Sequence, residues 1–151
     1  MKKTDLAYLA GLFDGEGCIH IRRNKRHDCP KGVQYQLMVT VRMSSEYLCR
    51  FYQMAFGGRV YQCKKYASAH KTLWQWVVTS QQTSEFLRVI LPYLIEKKAE
   101  AMLGLKFQDA KLLIKAEKGH KGFIRQEDEV AVVEEAQYIL MKNLKRKSEV
   151  A

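Results

Sequence analysis

The chain has 151 residues, of which 47% are hydrophobic, enough to build a core and an argument against disorder as its main state. Its 26 Lys and Arg outweigh 16 Asp and Glu, for a formal charge of +10, which favours a polyanionic partner, nucleic acid first and an anionic membrane surface second. No run is long enough for a membrane span, the N-terminal apolar run is broken by Asp5 and Asp14 and does not read as a signal peptide, and Cys18, Cys29, Cys49 and Cys63 form no CxxC pair; the expectation is an intracellular protein (cytoplasm, nucleoid or organelle matrix, not secreted) with free thiols and no zinc ribbon.

Thr4 is placed to cap a first helix from Asp5 to about Asp14, stopped by Gly15 and Gly17. Ile19 and Ile21 alternate with His20 and Arg22 in a first strand, followed by a polar turn around Pro30 and Gly32. From Val33 the alternation is long: Val33, Tyr35, Leu37, Val39, Val41 and Met43 share one face, and Gln34, Gln36, Met38, Thr40 and Arg42 the other, which predicts a half-buried antiparallel strand. Ser44 or Ser45 opens a second helix with the stripe Leu48, Phe51, Tyr52 and Ala55, ended by Gly57 and Gly58. Arg59 to Tyr66 and Thr72 to Ser80 read as a second strand pair, Thr83 or Ser84 as the start of a third helix, and Pro92 as the first turn of a fourth that runs to about Glu117. A last helix spans about Gln126 to Lys145, with Val130, Val133, Ile139 and Leu140 inward and a frayed, charged tail KRKSEV. The predicted order is αββαββα plus C-terminal helices, an α+β fold in one domain over 1–151, with a core of about 4–117 and a C-terminal helix of about 126–147.

On the first helix Ala7, Gly11 and Gly15 fall four apart, with Ala10 beside Gly11. Small residues at that spacing allow a second backbone to approach closely, either another helix or the chain's own sheet. The helix ends in Asp14-Gly15-Glu16-Gly17, and acids at a helix C-terminus oppose its dipole unless a cation lies nearby; a solvated turn and a metal site both fit.

The string LAGLFDGEG, Leu9 to Gly17, resembles the LAGLIDADG motif that names a family of homing endonucleases. Leu9, Ala10, Gly11, Leu12, Asp14 and Gly17 match outright; Phe13, Gly15 and Glu16 stand for Ile, Ala and Asp. The αββαββα order over residues 4 to about 91 is also that family's core order.

The resemblance implies a homodimer, since only one motif is present, with Ala7, Ala10, Gly11 and Asp14 at the seam of two paired motif helices. It implies that Glu16 is the catalytic metal ligand, that the Gly15 carbonyl adds a second oxygen, and that the cofactor is Mg²⁺ or another hard divalent cation such as Mn²⁺. It also implies a basic catalytic residue near the start of the helix after the fourth strand, here Lys97, with Lys98 the alternative. A polar support residue near the end of the second strand is expected too, with Thr40 and Arg42 the candidates and Val41 standing at the matching place.

The outward sheet faces then lie in the major groove of double-stranded DNA: His20, Arg22 and Asn24; Gln34, Gln36, Met38, Thr40 and Arg42; Gln62 and Lys64; and Gln75, with Trp74 and Trp76 inward. At roughly 3.3 Å per residue such strands cover about 9 base pairs per subunit, or a roughly palindromic site of about 18 to 20. Cleavage would leave 5′ phosphates, 3′ hydroxyls and short 3′ overhangs, in the service of intron homing. The rival reading is a non-cleaving LAGLIDADG protein, an intron RNA maturase (the one case with an RNA partner) or a transcription regulator; retention of both Glu16 and Lys97 argues for cleavage. Lys118, Lys121, Lys142, Lys145, Arg146 and Lys147 suit either phosphate contact or plain solvation.

Overall fold

The period-two alternation of residues 33 to 43 becomes the centre of the architecture. In the computed structural model, which describes residues 1–27, 32–64, 71–118 and 128–150, it forms the 11-residue strand β2 (Val33–Met43), flanked by β1 (Gly17–Lys25) and β4 (Trp74–Thr79), with β3 (Arg59–Gln62) outside β4. All pairings are antiparallel, in the order β1-β2-β4-β3. The register stacks Ile19 on Val39, Ile21 on Leu37, Val39 on Val78 and Val41 on Trp76, so the middle of one face is apolar.

The helices supply the other half of the core. Leu9 and Phe13 of α1 (Lys3–Glu16), Tyr52 of α2 (Glu46–Phe56), Phe86 and Leu87 of α3 (Ser80–Ile90), Phe107 of α4 (Lys98–Lys118) and Met141 of α5 (Asp128–Val150) join one buried cluster with the inward sheet residues. The result is an α+β fold with helices gathered against one face of an antiparallel sheet, as expected from sequence. Trp76 lies in an aromatic cluster at its centre: its ring stacks on Tyr52 at 4.9 Å, meets Phe86 edge-on at 5.0 Å, and its indole N–H donates to Gly57 O at 2.8 Å. Gly57 and Gly58 hold positive φ (72° and 85°), and a Cβ at Gly58 would fall 2.5 Å from Val77 O, so the turn into β3 requires glycine.

Several boundaries differ from the sequence reading. Helix α1 starts at Lys3 with Lys2 as its N-cap; the Asp5 carboxylate accepts the Lys2 N–H at 3.1 Å and displaces Thr4 from the cap role. Gly15 does not stop α1. It runs to Glu16, and Gly17 ends it, because a Cβ there would sit 2.3 Å from the Phe13 ring. Ser45 is the cap of α2, accepting the Leu48 N–H at 3.3 Å. Strand β3 stops at Gln62, although Cys63 N–H still donates to Leu73 O at 2.8 Å; Tyr66 lies outside the described residues, and β4 begins at Trp74 rather than Thr72.

Helix α3 begins at Ser80, straight off β4, with Ser80 in the left-handed region (φ 53°) making the corner; Thr83 and Ser84 are therefore buried inside the helix rather than capping it. Pro92 opens only a 3-10 turn, Leu91–Tyr93, and α4 starts at Lys98, because Asp14 takes the N–H groups of Ile95 and Lys97 between them. Helix α5 is rotated from the expected orientation. Val133, Ile139 and Leu140 are exposed and Val130 is half-buried, while Met141 and Glu134 are buried and Tyr138 packs on Tyr35 at 5.8 Å. The Lys111–Glu134 ion pair, at 3.0 Å, joins Tyr138 in setting that rotation. The tail expected to fray stays helical to Val150, while Gln126 and the Pro30 turn lie outside the described residues. No helix among the described residues is long and apolar enough to cross a membrane.

The buried Tyr52 hydroxyl donates to Leu9 O at 2.6 Å, tying α2 to α1. Tyr52→Phe keeps the ring and strands that carbonyl, and should lower the urea-unfolding free energy by about 1–2 kcal/mol with an unchanged m-value.

Candidate active site and nucleic-acid interface

One stripe of α1 is buried and the opposite stripe is bare. Leu9, Ala10 and Phe13 are fully buried, whereas Ala7, Tyr8, Gly11, Gly15 and Glu16 are exposed. Ala10 therefore packs within its own chain and presents nothing outward. At Gly11 and Gly15 an added Cβ would meet no atom within 4 Å, so nothing in this chain's own packing requires glycine at either position.

At the C-terminal end of α1, Asp14, half-buried, accepts the Ile95 N–H at 2.8 Å and the Lys97 N–H at 3.1 Å, while the Lys97 ammonium donates to the Asp14 carbonyl. The last turn of α1 contains no basic residue, so Lys97 brings, across 83 residues of sequence, the cation that the negative helix end favours. Lys97 thus bonds the helix end at a carbonyl two residues before Glu16, and Lys98 is exposed. The Glu16 carboxylate is exposed and has no hydrogen bond or ion pair among the described residues. The Gly15 carbonyl falls in the last helical turn, where α-helix geometry leaves carbonyls without an intrahelical N–H.

Behind this point lies a charged layer that sequence reasoning missed. Glu100, in the first turn of α4, is buried; desolvation raises its carboxyl above the usual range, against the opposing pull of Lys145 and Lys97. Lys145, from the far end of α5, donates to Cys18 Sγ at 2.8 Å, and Cys18 Sγ lies 3.7 Å from His20 Nδ1. Burial first, then the charges of Lys145 and Arg22, push His20 down to about 4, so its ring is neutral at physiological pH. No spacing in the sequence marks Lys145 out from the other basic residues of α5. Lys142 sits over the Tyr138 ring at 5.2 Å, Lys121 lies outside the described residues, and the Lys118 and Lys147 side chains are likewise not described.

The sheet face away from the helices carries the remaining candidates. Cross-strand pairs bring Cys18 beside Thr40, His20 beside Met38, Arg22 beside Gln36 and Asn24 beside Gln34, then Thr40 beside Val77 and Arg42 beside Gln75. Trp74 and Trp76 point to the core side and Gln75 to the outer side, as the sequence reading has it. Gln62 does not join this face: it pairs with Trp74 in phase with the inward Val60, whereas Arg59 and Tyr61 pair with Val77 and Gln75 on the outer side, and Lys64 lies beyond the paired residues of β3. The apolar Val60 fits that phase, but Tyr61 and Cys63 are as apolar and leave it undecided in the sequence. Among the described residues the outer face holds no acidic side chain. Three hydrogen-bonded pairs hold side chains of this face: Gln36 Nε2 donates to Ser80 Oγ at 3.1 Å, Arg26 Nη1 to Gln34 Oε1 at 3.0 Å, and Arg42 to Gln75 Oε1 through Nε (3.1 Å) and Nη2 (2.8 Å).

A helix ending in an exposed carboxylate, a lysine locked to that helix end, and an acid-free antiparallel sheet face are the frame of a LAGLIDADG protein, and residues 9–116 match the family model described as LAGLIDADG endonuclease. The chain belongs to that family. Solved structures agree on the fold. The homing endonuclease I-CvuI, in complex with its target and calcium, is similar with a TM-score of 0.75 at 23% identity, over 93% of this chain and 82% of that one. The archaeal intron-encoded homing endonuclease I-Vdi141I, complexed with DNA, is similar with a TM-score of 0.61 at 16% identity, over 96% and 99%. I-SmaMI, bound to cleaved DNA, is similar with a TM-score of 0.65 at 18% identity, over 89% of this chain and 42% of that longer one. No curated protein sequence matches the chain.

Because the folded-state pKa of His20 is depressed below its ordinary 6.5 to about 4, the native state binds this proton less readily than the unfolded state, and the resulting stability is present above pH 6.5 and drains away as pH falls towards 4. Subtracting the urea stability of His20→Asn from that of the parent chain at each pH should show this loss between about 6.5 and 4; a difference that is flat across the window contradicts it.

Proposed function

We propose that the chain is one subunit of a homodimeric, divalent-metal-dependent DNA endonuclease that cuts a long, nearly palindromic site. The observation that carries this reading is the exposed carboxylate of Glu16, without a partner among the described residues, at the end of a helix whose bare face is built of small residues.

The dimer follows from the cost of those residues. A glycine in a helix interior costs roughly 0.5–1 kcal/mol relative to alanine, and at Gly11 and Gly15 the chain's own fold gives nothing in return. A second copy of α1 packed close along Ala7, Gly11 and Gly15 supplies the return. The side chain of Ile95, 84% exposed and tied through its N–H to Asp14, stands beside that stripe and would be covered by the same contact.

The donor set points the same way. No group of three His, Cys, Asp or Glu that could hold a metal occurs among the described residues, and Asp14 is committed to backbone N–H groups. At this helix end each chain thus offers one free motif carboxylate, Glu16, with the Gly15 carbonyl beside it: hard oxygens suited to Mg²⁺ or Mn²⁺, but too few without a second subunit and phosphate oxygens. Bound there, the cation would supply a hydroxide nucleophile at neutral pH and shield the leaving 3′ oxygen. Glu16 holds its carboxylate towards the phosphate. Asp14 fixes the chain at Ile95 and Lys97. Lys97 keeps its ammonium at the same helix end, where it can stabilise charge growing on the phosphate. The outer sheet face, free of acids, lies in the major groove of about 9 base pairs per subunit, about 18 to 20 in all. I-CvuI and I-Vdi141I were each solved on DNA and I-Vdi141I is intron-encoded, which supports a DNA partner and a role in intron homing; an intracellular location is part of the proposal.

Selection of cleaved duplexes from a random library with Mg²⁺ tests the reading. Breaks should vanish in EDTA and in Glu16→Gln, with DNA binding retained by that variant; breaks that persist in Glu16→Gln would sink the assignment, and binding with no breaks in the parent would favour a non-cleaving member of the family. Lys97→Met should lower the cleavage rate by roughly 10²-fold or more while leaving affinity within a few-fold.

Sedimentation tests the seam. Gly11→Leu fills open space in one chain and should keep or raise its thermal stability while shifting the protein from dimer to monomer; an unchanged dimer would refute the packing.

A further inference from the structure

The sequence assigns Gln75 to base readout, yet it is only 6% exposed, and its side-chain oxygen already accepts two hydrogen bonds from Arg42, with Cys63 Sγ a further 3.8 Å away. Both Arg42 bonds use the side-on edge of the guanidinium, formed by Nε and Nη2. What remains is the end-on fork, two parallel N–H groups on Nη1 and Nη2, with no partner among the described residues. Arg42 is exposed on the outer sheet face, and the pairing of Gly17 with Val41 puts it next to the strand start that directly follows Glu16.

A guanidinium gripped along one edge cannot rotate about its last bonds, and its free fork then points in one direction. That fork matches the O6 and N7 acceptors of a guanine in the major groove, the commonest specific arginine contact to DNA. The same fork also fits two phosphate oxygens, but Arg42 rises from the middle of the groove-facing sheet surface, where base edges are the acceptors, and a phosphate contact would carry no base preference. We infer that Arg42, held by Gln75, reads one guanine in each half-site, close to the cleavage centre, and that Gln75 is a positioning residue that touches no base. This inference rests on the proposed orientation of the sheet on DNA.

The test is library selection run in two arms, by binding in Ca²⁺ and by cleavage in Mg²⁺, for the parent chain and for Arg42→Met, Gln75→Ala and Gln75→Glu. The parent should select guanine at one symmetric pair of positions near the centre. Arg42→Met and Gln75→Ala should each reduce that preference about ten-fold or more, at the same pair and nowhere else. Gln75→Glu keeps the acceptor and should retain it, which separates loss of positioning from loss of folding. The inference is overturned if Gln75→Ala alters a different base position from Arg42→Met, or if Arg42→Met weakens all duplexes alike and reduces the salt slope of binding by about one, the mark of a phosphate contact. Binding without cleavage in the parent would defeat the nuclease reading and leave the base position decidable from the Ca²⁺ arm; recovery of no duplex in either arm would defeat both.

Discussion

The clasp between Asp14 and the segment Ile95–Lys97 is the constraint on which the candidate centre depends. The Asp14 carboxylate accepts two backbone N–H groups, from Ile95 and Lys97, and the Lys97 ammonium donates in turn to the Asp14 backbone carbonyl. This reciprocal arrangement does several things at once. It interrupts the chain between the 3-10 turn and α4, so that Pro92 cannot lead into one long helix. It brings a cation to the end of α1, where two acids would otherwise oppose the helix dipole. It also occupies Asp14, which leaves Glu16 as the one motif carboxylate open to solvent. Of two acids in a nine-residue motif, the first is structural and the second is free to bind, and the difference is made by a segment 81 to 83 residues away.

The sheet solves a different problem with the same economy. The described helices α1 to α5 all add to one core cluster, so the opposite face is left largely open, with Lys145 of α5 reaching Cys18 on the edge strand β1. An antiparallel sheet tolerates this because alternation puts polar side chains on the open side. Here those side chains are amides, arginines, a histidine and hydroxyls without a single acid among the described residues, which is a choice of partner as well as a way to stay wetted. The two functions meet at the Gly17–Val41 pair, where the motif helix hands over to β1 and β2 reaches its last outward residues.

How much of this the sequence disclosed can be judged element by element. The order of strands and helices was legible because hydrophobic period is a local signal, and it held for β1, β2, α2 and the sense of β4. The motif was legible as a string. What was not legible depended on contacts between distant segments. Gln62 was put on the wrong face because Tyr61 and Cys63 look as apolar as Val60, and only pairing with Trp74 and Trp76 decides the phase. The rotation of α5 was missed because its apolar residues lie all round: Val133, Ile139 and Leu140 form as plausible a stripe as Tyr138 and Met141, and the buried Lys111–Glu134 pair that settles the matter joins two helices. Glu100 and Lys145 carry no local mark at all; burial and their nearness to Lys97 and Cys18 make them part of the centre.

The net charge of +10 and the held side chains of the outer face divide the work of recognition between them. Charge supplies attraction that is blind to sequence and fades with salt. Discrimination needs side chains whose direction is set before DNA arrives, because each rotamer fixed only on binding subtracts about 0.5–1.5 kcal/mol from the affinity. Gln36 against Ser80, Gln34 against Arg26 and Arg42 against Gln75 are already fixed in the free chain. Ser80 shows the cost of this order: a non-glycine residue with a φ of 53° turns the chain from β4 into α3, and its hydroxyl anchors Gln36 across the sheet. Backbone strain at one corner is thereby exchanged for a fixed amide on the adjacent strand β2, a local cost of the kind that clusters at functional surfaces.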